Sequence, residues 1–151
     1  MQKLSLFVTV AILGASPVFA EETGKVVAAR SLEWADAPAA FPKGAKAAVI
    51  SGDPTKEGLF VIRLKLPADY KIPAHQHPTT EFVTVLDGVL YIGMGDKLDA
   101  SKGQGLSVGD FAEVPATMSH YAWTTGPTTI QVHGQGPVAL TYVNPMDDPR
   151  K

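Results

Sequence analysis

The sequence predicts an all-β protein, a sandwich or barrel of short strands, and three observations carry that reading. Runs rich in β-branched and aromatic residues recur at 47–51, 59–66, 81–86, 89–93, 111–114, 121–124, 128–133 and 138–143. Turn signals separate them: Gly52-Asp53-Pro54, Leu66-Pro67-Ala68-Asp69, Asp87-Gly88, residues 103–109, Gly126-Pro127 and residues 134–137. No stripe of helical period competes with these runs. At 151 residues the chain has room for one domain, and one core implies one site.

Residues 1–20 read as a secretory leader, with basic Lys3, an apolar run over 4–13 and breaks at Gly14, Ser16 and Pro17. Val18, Phe19 and Ala20 supply a cleavage site, so cutting is expected after Ala20. The apolar run is shorter than the roughly 20 residues that span a bilayer. The mature chain is therefore expected in the periplasm or secreted, with no stable membrane anchor. Residues 21–45 read as an N-terminal arm with one or two short strands, packed by Leu32, Trp34 and Phe41. Residues 46–145 form the barrel and 146–151 a C-terminal tail. Within the barrel, Asp87-Gly88 between two β-branched runs predicts a tight hairpin, because Gly tolerates the positive φ that such a turn needs. Residues 95–105, with charges, Ser and three glycines, read as a surface loop.

Composition narrows the chemistry. There is no cysteine, so disulfides, thiolate metal sites and thiol catalysis are excluded, and a metal must use His, Asp or Glu. The formal charge is -2, and losing Lys3 with the leader makes it about -3. That balance offers no basic surface for nucleic acid.

Three of the four histidines and one glutamate fall into two clusters. The first reads His75-Gln76-His77-Pro78-Thr79-Thr80-Glu81. In an extended chain residues of one parity share a face, so His75, His77 and Glu81 can turn inward while Gln76 points away. Histidines at i and i+2 stand roughly 6 to 7 Å apart along a strand, and converging side chains bring both within reach of one small cation. Pro78 cannot donate to a ladder, so the cluster is expected to start on an edge or bend and to enter regular pairing only near Glu81. The second cluster runs Gly109-Asp110-Phe111-Ala112-Glu113-Val114-Pro115, then Thr117, Met118, Ser119 and His120. A glycine turn, a short strand and a proline bend would return His120 across the sheet to the first cluster.

The fourth histidine lies in Thr129-Ile130-Gln131-Val132-His133, where alternation puts Gln131 and His133 on one face and Ile130 and Val132 on the other. If the polar face were the interior, Gln131 and His133 would line a pocket near the metal. The ordinary half-polar strand pattern favours facing outward. Arg63 and Lys65 are likewise expected in solvent, and Phe82, Met118, Tyr121 and Trp123 are apolar enough either to fill the core or to wall a cavity.

The two clusters resemble the paired motifs of the cupin superfamily. His75-x-His77, three residues, Glu81, six residues and Gly88 match the first motif, with Asp69 where its leading glycine stands. Gly109, Pro115 and His120 match the second, with Thr117 replacing a glycine and Thr124 an asparagine. The resemblance covers about residues 45–145. It implies a double-stranded β-helix (jelly-roll) barrel with His75, His77, Glu81 and His120 as ligands of one divalent transition metal. Three imidazoles and a carboxylate suit Fe, Mn, Ni, Zn or Cu and not calcium. The resemblance further implies a small-molecule substrate or ligand, most readily in a dioxygenase-like oxidoreductase with Glu81 doubling as catalytic base. A non-catalytic metal-anchored binding or sensing module and a metal-dependent isomerase stand beside it. Pairing into a homodimer is also an expectation from the resemblance.

Overall fold

The computed structural model describes residues 24–151, so the leader reading for 1–20 lies outside the described residues. Eleven strands follow in order: β1 (Ala35–Asp36), β2 (Lys46–Ser51), β3 (Gly58–Leu66), β4 (Lys71–Gln76), β5 (Glu81–Asp87), β6 (Leu90–Met94), β7 (Gln104–Leu106), β8 (Phe111–Val114), β9 (His120–Thr124), β10 (Thr128–Gly136) and β11 (Thr141–Tyr142). They form two antiparallel sheets, a six-stranded one ordered β1-β2-β3-β10-β5-β8 and a five-stranded one ordered β11-β4-β9-β6-β7. This is the jelly-roll barrel that the sequence predicts.

The core lies between the sheets and follows the period of two. On β3, Phe60, Ile62, Leu64 and Leu66 are buried, while Arg63 and Lys65 of the opposite parity reach the outer face. The nine-residue register from Thr128↔Leu66 to Gly136↔Gly58 aligns β10 so that Ile130 and Val132 join that layer. Each such aliphatic side chain contributes roughly 1.5–3 kcal/mol when taken out of water. A one-residue slip would turn all of them outward.

The arm is tied down in several places. β1 pairs with β2, and Lys65 Nζ sits 4.2 Å above the Trp34 ring. Beyond β1, Phe41 packs on the core, and the carbonyls on either side of it are held by buried tyrosines from the other sheet's side of the barrel. Tyr142 Oη donates to Ala40 O at 2.7 Å, and Tyr70 Oη donates to Pro42 O. Burial pushes the Tyr142 hydroxyl up to about 12, so it stays protonated and able to donate.

Several local expectations give way to the structure. Asp87-Gly88 does not close a hairpin: β5 pairs with β10 and β8, whereas β6 belongs to the other sheet. Gly88 still has φ +76°, and a Cβ there would come within 2.4 Å of Pro127 O, so the glycine serves a tight crossing between sheets. Residues 95–105 do run at the surface, but tied down. They carry a 3-10 turn at Ala100–Lys102 capped by the Asp99 carboxylate, and they enter β7 at Gln104. Tyr121 Oη donates to Asp99 O at 3.0 Å, and the Trp123 ring packs directly on Gly103, where a side chain would collide. In the run 138–143 only Thr141 and Tyr142 pair, against Gln76 and His75 of β4.

Candidate metal centre

The structure gathers the two clusters at one end of the barrel interior. His75 lies on β4, a strand the sequence reading missed. β4 is not an edge, because β11 and β9 flank it. Its own proline, Pro73, falls inside the register break between Ile72 and His75, where a missing N–H costs no ladder bond. His77 follows β4 in the connection to β5, and that connection crosses from the five-stranded to the six-stranded sheet, with Glu81 opening β5. The expected bend at Pro78 is therefore this crossing. The second cluster makes the reverse crossing: β8 belongs to the six-stranded sheet, Pro115 follows it, and β9 begins with His120. β9 pairs with β4 so that His120 stands directly opposite His75.

Both glycine positions that this chain fills otherwise keep the left-handed backbone, Asp69 at φ 56° and Thr117 at φ 63°. Thr117 N donates to His77 O at 2.8 Å, so that conformation fastens the segment after β8 to the first cluster. Thr124, in place of asparagine, is buried and bonds twice across the neighbouring turn, donating to Pro67 O at 2.6 Å and accepting from Tyr70 N at 3.1 Å.

The three imidazoles are buried, and one nitrogen from each lies within 4.8 Å of the others. Ligands about 2.1 Å from one ion stand up to roughly 4 Å apart, so small ring movements suffice. Their protons are placed by the backbone. The Nδ1 atoms of His75, His77 and His120 face the carbonyls of Pro73 at 2.8 Å, Ala139 at 2.8 Å and Met118 at 3.1 Å. A carbonyl only accepts, so each Nδ1 carries the hydrogen and each Nε2 presents its lone pair inward. Desolvation, with the neighbouring His120 and His77 rings, pulls His75 down to about 3, so that ring is neutral at ordinary pH.

Glu81 completes the group. Its two oxygens lie 3.5 Å from His77 Nε2 and from His120 Nε2, and its side chain is 18% exposed against 5% and 2% for those histidines. Burial alone would raise its carboxyl, but hydrogen bonding to His120 and the charge the three imidazoles carry when protonated outweigh it and hold the group below its usual value, whereas neutral rings turn Nε2 lone pairs toward the carboxylate. An ionised carboxylate thus faces inward-pointing imidazole lone pairs, and the buried His77 Nε2 has no hydrogen-bond partner. A cation at their focus satisfies all four at once, so these residues fit the transition metal that the ligand chemistry predicts.

Beside the four residues is a cavity of about 30 Å³, walled by Leu64, Val83, Ile92, Ile130, Val132 and their aliphatic neighbours, with Phe41 and Leu140 also lining it. Gln131 and His133 are not in it, because their parity on β10 puts them on the outer face. There Gln131 Oε1 accepts from Arg63 Nε at 3.1 Å, and His133 stacks on Phe82 with ring centroids 5.0 Å apart. The pocket role considered for these two residues is thus excluded by strand parity. The aromatics do not wall the cavity either. Phe82 stacks with Phe111, Tyr121 and Trp123 stack on the outer side of β9, and Met118 is 41% exposed. What the sequence reading missed is Phe41 as a cavity residue, together with the backbone carbonyls behind the imidazoles.

Fold and site together define a jelly-roll protein with a buried three-histidine group at one end of its barrel, able to hold a metal. The cupin-domain family profile matches residues 60–133, which include all four candidate ligands, and the chain belongs to the cupin superfamily. No curated protein sequence matches it. Among solved structures, the polyketide cyclase RemF from Streptomyces resistomycificus is similar at 14% identity and TM-score 0.71, over 84% of this chain and 90% of that one. A candidate acetylacetone dioxygenase from Methylibium petroleiphilum PM1 is similar at 19% identity and TM-score 0.65, over 87% and 89%. The DMSP lyase DddQ from Ruegeria pomeroyi DSS-3 is similar at 20% identity and TM-score 0.59, over 75% and 61%. At these identities the likeness is one of fold, shared by proteins of different chemistry.

Proposed function

We propose that the protein is a metal-dependent cupin in which His75, His77, His120 and Glu81 hold one divalent transition metal, and that it acts as a dioxygenase-like oxidoreductase on a small organic molecule. The observation that carries the metal reading is the set of three carbonyl-anchored Nδ1 atoms, which leave three Nε2 lone pairs and one carboxylate facing one another. When bound, such a metal supplies Lewis acidity and an open coordination position for substrate or O₂. The chain's own residues do the rest. The carbonyls fix the imidazole tautomers, the aliphatic wall excludes water, and Glu81, the most exposed of the four, is the group placed to take a proton from an entering acid. The oxidoreductase reading is supported by that donor set and by the dioxygenase among the similar structures. O₂ uptake by protein loaded with Fe(II), Mn(II) or Ni(II), followed over short aliphatic acids and ketones beside phenolic and diketone substrates, tests it. Uptake with one loaded form is expected, and none with any form overturns the oxygenase reading while leaving the metal site standing.

A non-catalytic metal-anchored binding module is the second reading, favoured by the small cavity and by its lack of any polar lining side chain beyond the four candidate ligands among the described residues. We also propose that the protein is exported and cut after Ala20, on the sequence of residues 1–20 alone. N-terminal sequencing of the mature protein checks it.

A further inference from the structure

Every side chain that lines the cavity, apart from the four candidate ligands, is aliphatic or Phe41. Among the described residues no lysine, arginine, amide or hydroxyl side chain reaches it, so a second polar group on a ligand would be buried without a partner. The space of about 30 Å³ takes two or three water-sized centres, far less than an aromatic ring. A divalent ion with one carboxylate ligand leaves a single positive charge, which one anionic or strongly polar oxygen head matches.

The limit on size comes from the arm. Phe41 lines the cavity, and its backbone is held in place. Its own N–H donates to Pro38 O at 2.8 Å, and Tyr142 and Tyr70 hold the carbonyls of Ala40 and Pro42 on either side. Tyr142 is also the backbone partner of His75, so the restraint on Phe41 and the first ligand share one strand pair.

We infer that the site, given the metal reading above, takes a short aliphatic compound with one carboxylate or carbonyl head, the head on the metal and two or three carbons against the aliphatic wall. Phe41 is the specificity-determining residue that sets the length. Larger, aromatic or doubly charged compounds are refused for two separable reasons, volume at Phe41 and the absence of a second polar partner.

The test uses protein loaded with Co(II), whose visible absorption reports ligation, titrated with propanoate, benzoate and succinate. Propanoate is expected to shift the spectrum saturably, with benzoate and succinate at least tenfold weaker. Phe41→Ala should narrow the gap between propanoate and benzoate at least tenfold, with cobalt content unchanged and succinate still refused. If Phe41→Ala does not fold, Phe41→Leu should move the same ratio in the same direction. Equal affinity for all three acids, or an unmoved ratio in the folded variant, overturns the inference while leaving the metal site intact. Failure of the wild-type protein to take up about one cobalt per chain overturns the metal reading itself and this inference with it.

Discussion

His75 and His120 stand directly opposite each other on antiparallel strands β4 and β9, their ring centroids 4.2 Å apart in the barrel interior. Two imidazoles so close and so buried are acceptable as neutral rings, and each has its Nδ1 proton committed to a carbonyl two residues back.

Replacing either residue with Ala removes a lone pair that nothing nearby can supply. His75→Ala and His120→Ala are expected to lose stoichiometric metal, read by elemental analysis. Both should also lose the metal-dependent rise in melting temperature, about 2.7 kcal/mol at a hundredfold excess of metal over Kd. Unchanged metal content in either variant refutes the site.

His133→Ala and Gln131→Ala supply the contrast. Both side chains lie on the outer face of β10, where the losses are a stack on Phe82 and a hydrogen bond from Arg63. Metal content should stay at the wild-type value and stability should fall by about 1 kcal/mol or less, read by urea titration.

Acid should destabilise the metal-free protein in a defined window. His75 titrates near 6.5 when unfolded and at about 3 when folded, so the unfolded chain binds the extra proton between those values. The stability present above pH 6.5 is lost as pH falls, at up to about 1.4 kcal/mol per unit from this ring. Glu81, also held low in the folded state, adds a loss of the same sign at lower pH. Urea midpoints from pH 7.5 to 4 measure the slope, and His75→Ala should flatten it. Metal affinity is set by the folded protein instead, so protons compete with the metal at His75 only as pH nears about 3.

Thr117→Gly should stabilise. A β-branched residue at φ 63° carries roughly 1–2 kcal/mol of steric cost, which exceeds the added entropy of a glycine in the unfolded chain, for a net gain of about 0.5–1 kcal/mol. Asp69→Gly should be nearly neutral, since Asp visits that region far more readily. Gly88→Ala runs the other way, with a Cβ 2.4 Å from Pro127 O and a positive φ, and should cost about 2 kcal/mol or more. Thermal melts of the three variants rank them.

The gathering of His75, His77 and His120 was legible because two short motifs carry it, and the strand runs because Gly and Pro punctuate them. β4 was not legible. Pro73 argued against a strand there, and only the register break between Ile72 and His75, a tertiary fact, admits it. Asp87-Gly88 announced a turn correctly and its partner wrongly, since a turn signal fixes where the chain bends and not which sheet receives the next strand. Parity sorted Ile130 and Val132 from Gln131 and His133, but which side was interior came only with the second sheet. Phe41 was legible as a packing residue of the arm but not as part of the cavity, because its place depends on hydroxyl bonds from Tyr70 and Tyr142 to the carbonyls beside it.

The bond from His77 Nδ1 to Ala139 O spans 62 residues, and Leu140 O next to it accepts from Arg150 Nη2 at 3.1 Å. None of these downstream residues is a candidate ligand, yet they decide which way the His77 ring faces. A nascent chain stopped short of Ala139 would hold three histidines with one of them unoriented. The arrangement able to hold a metal is therefore complete only once the segment around Ala139 is in place.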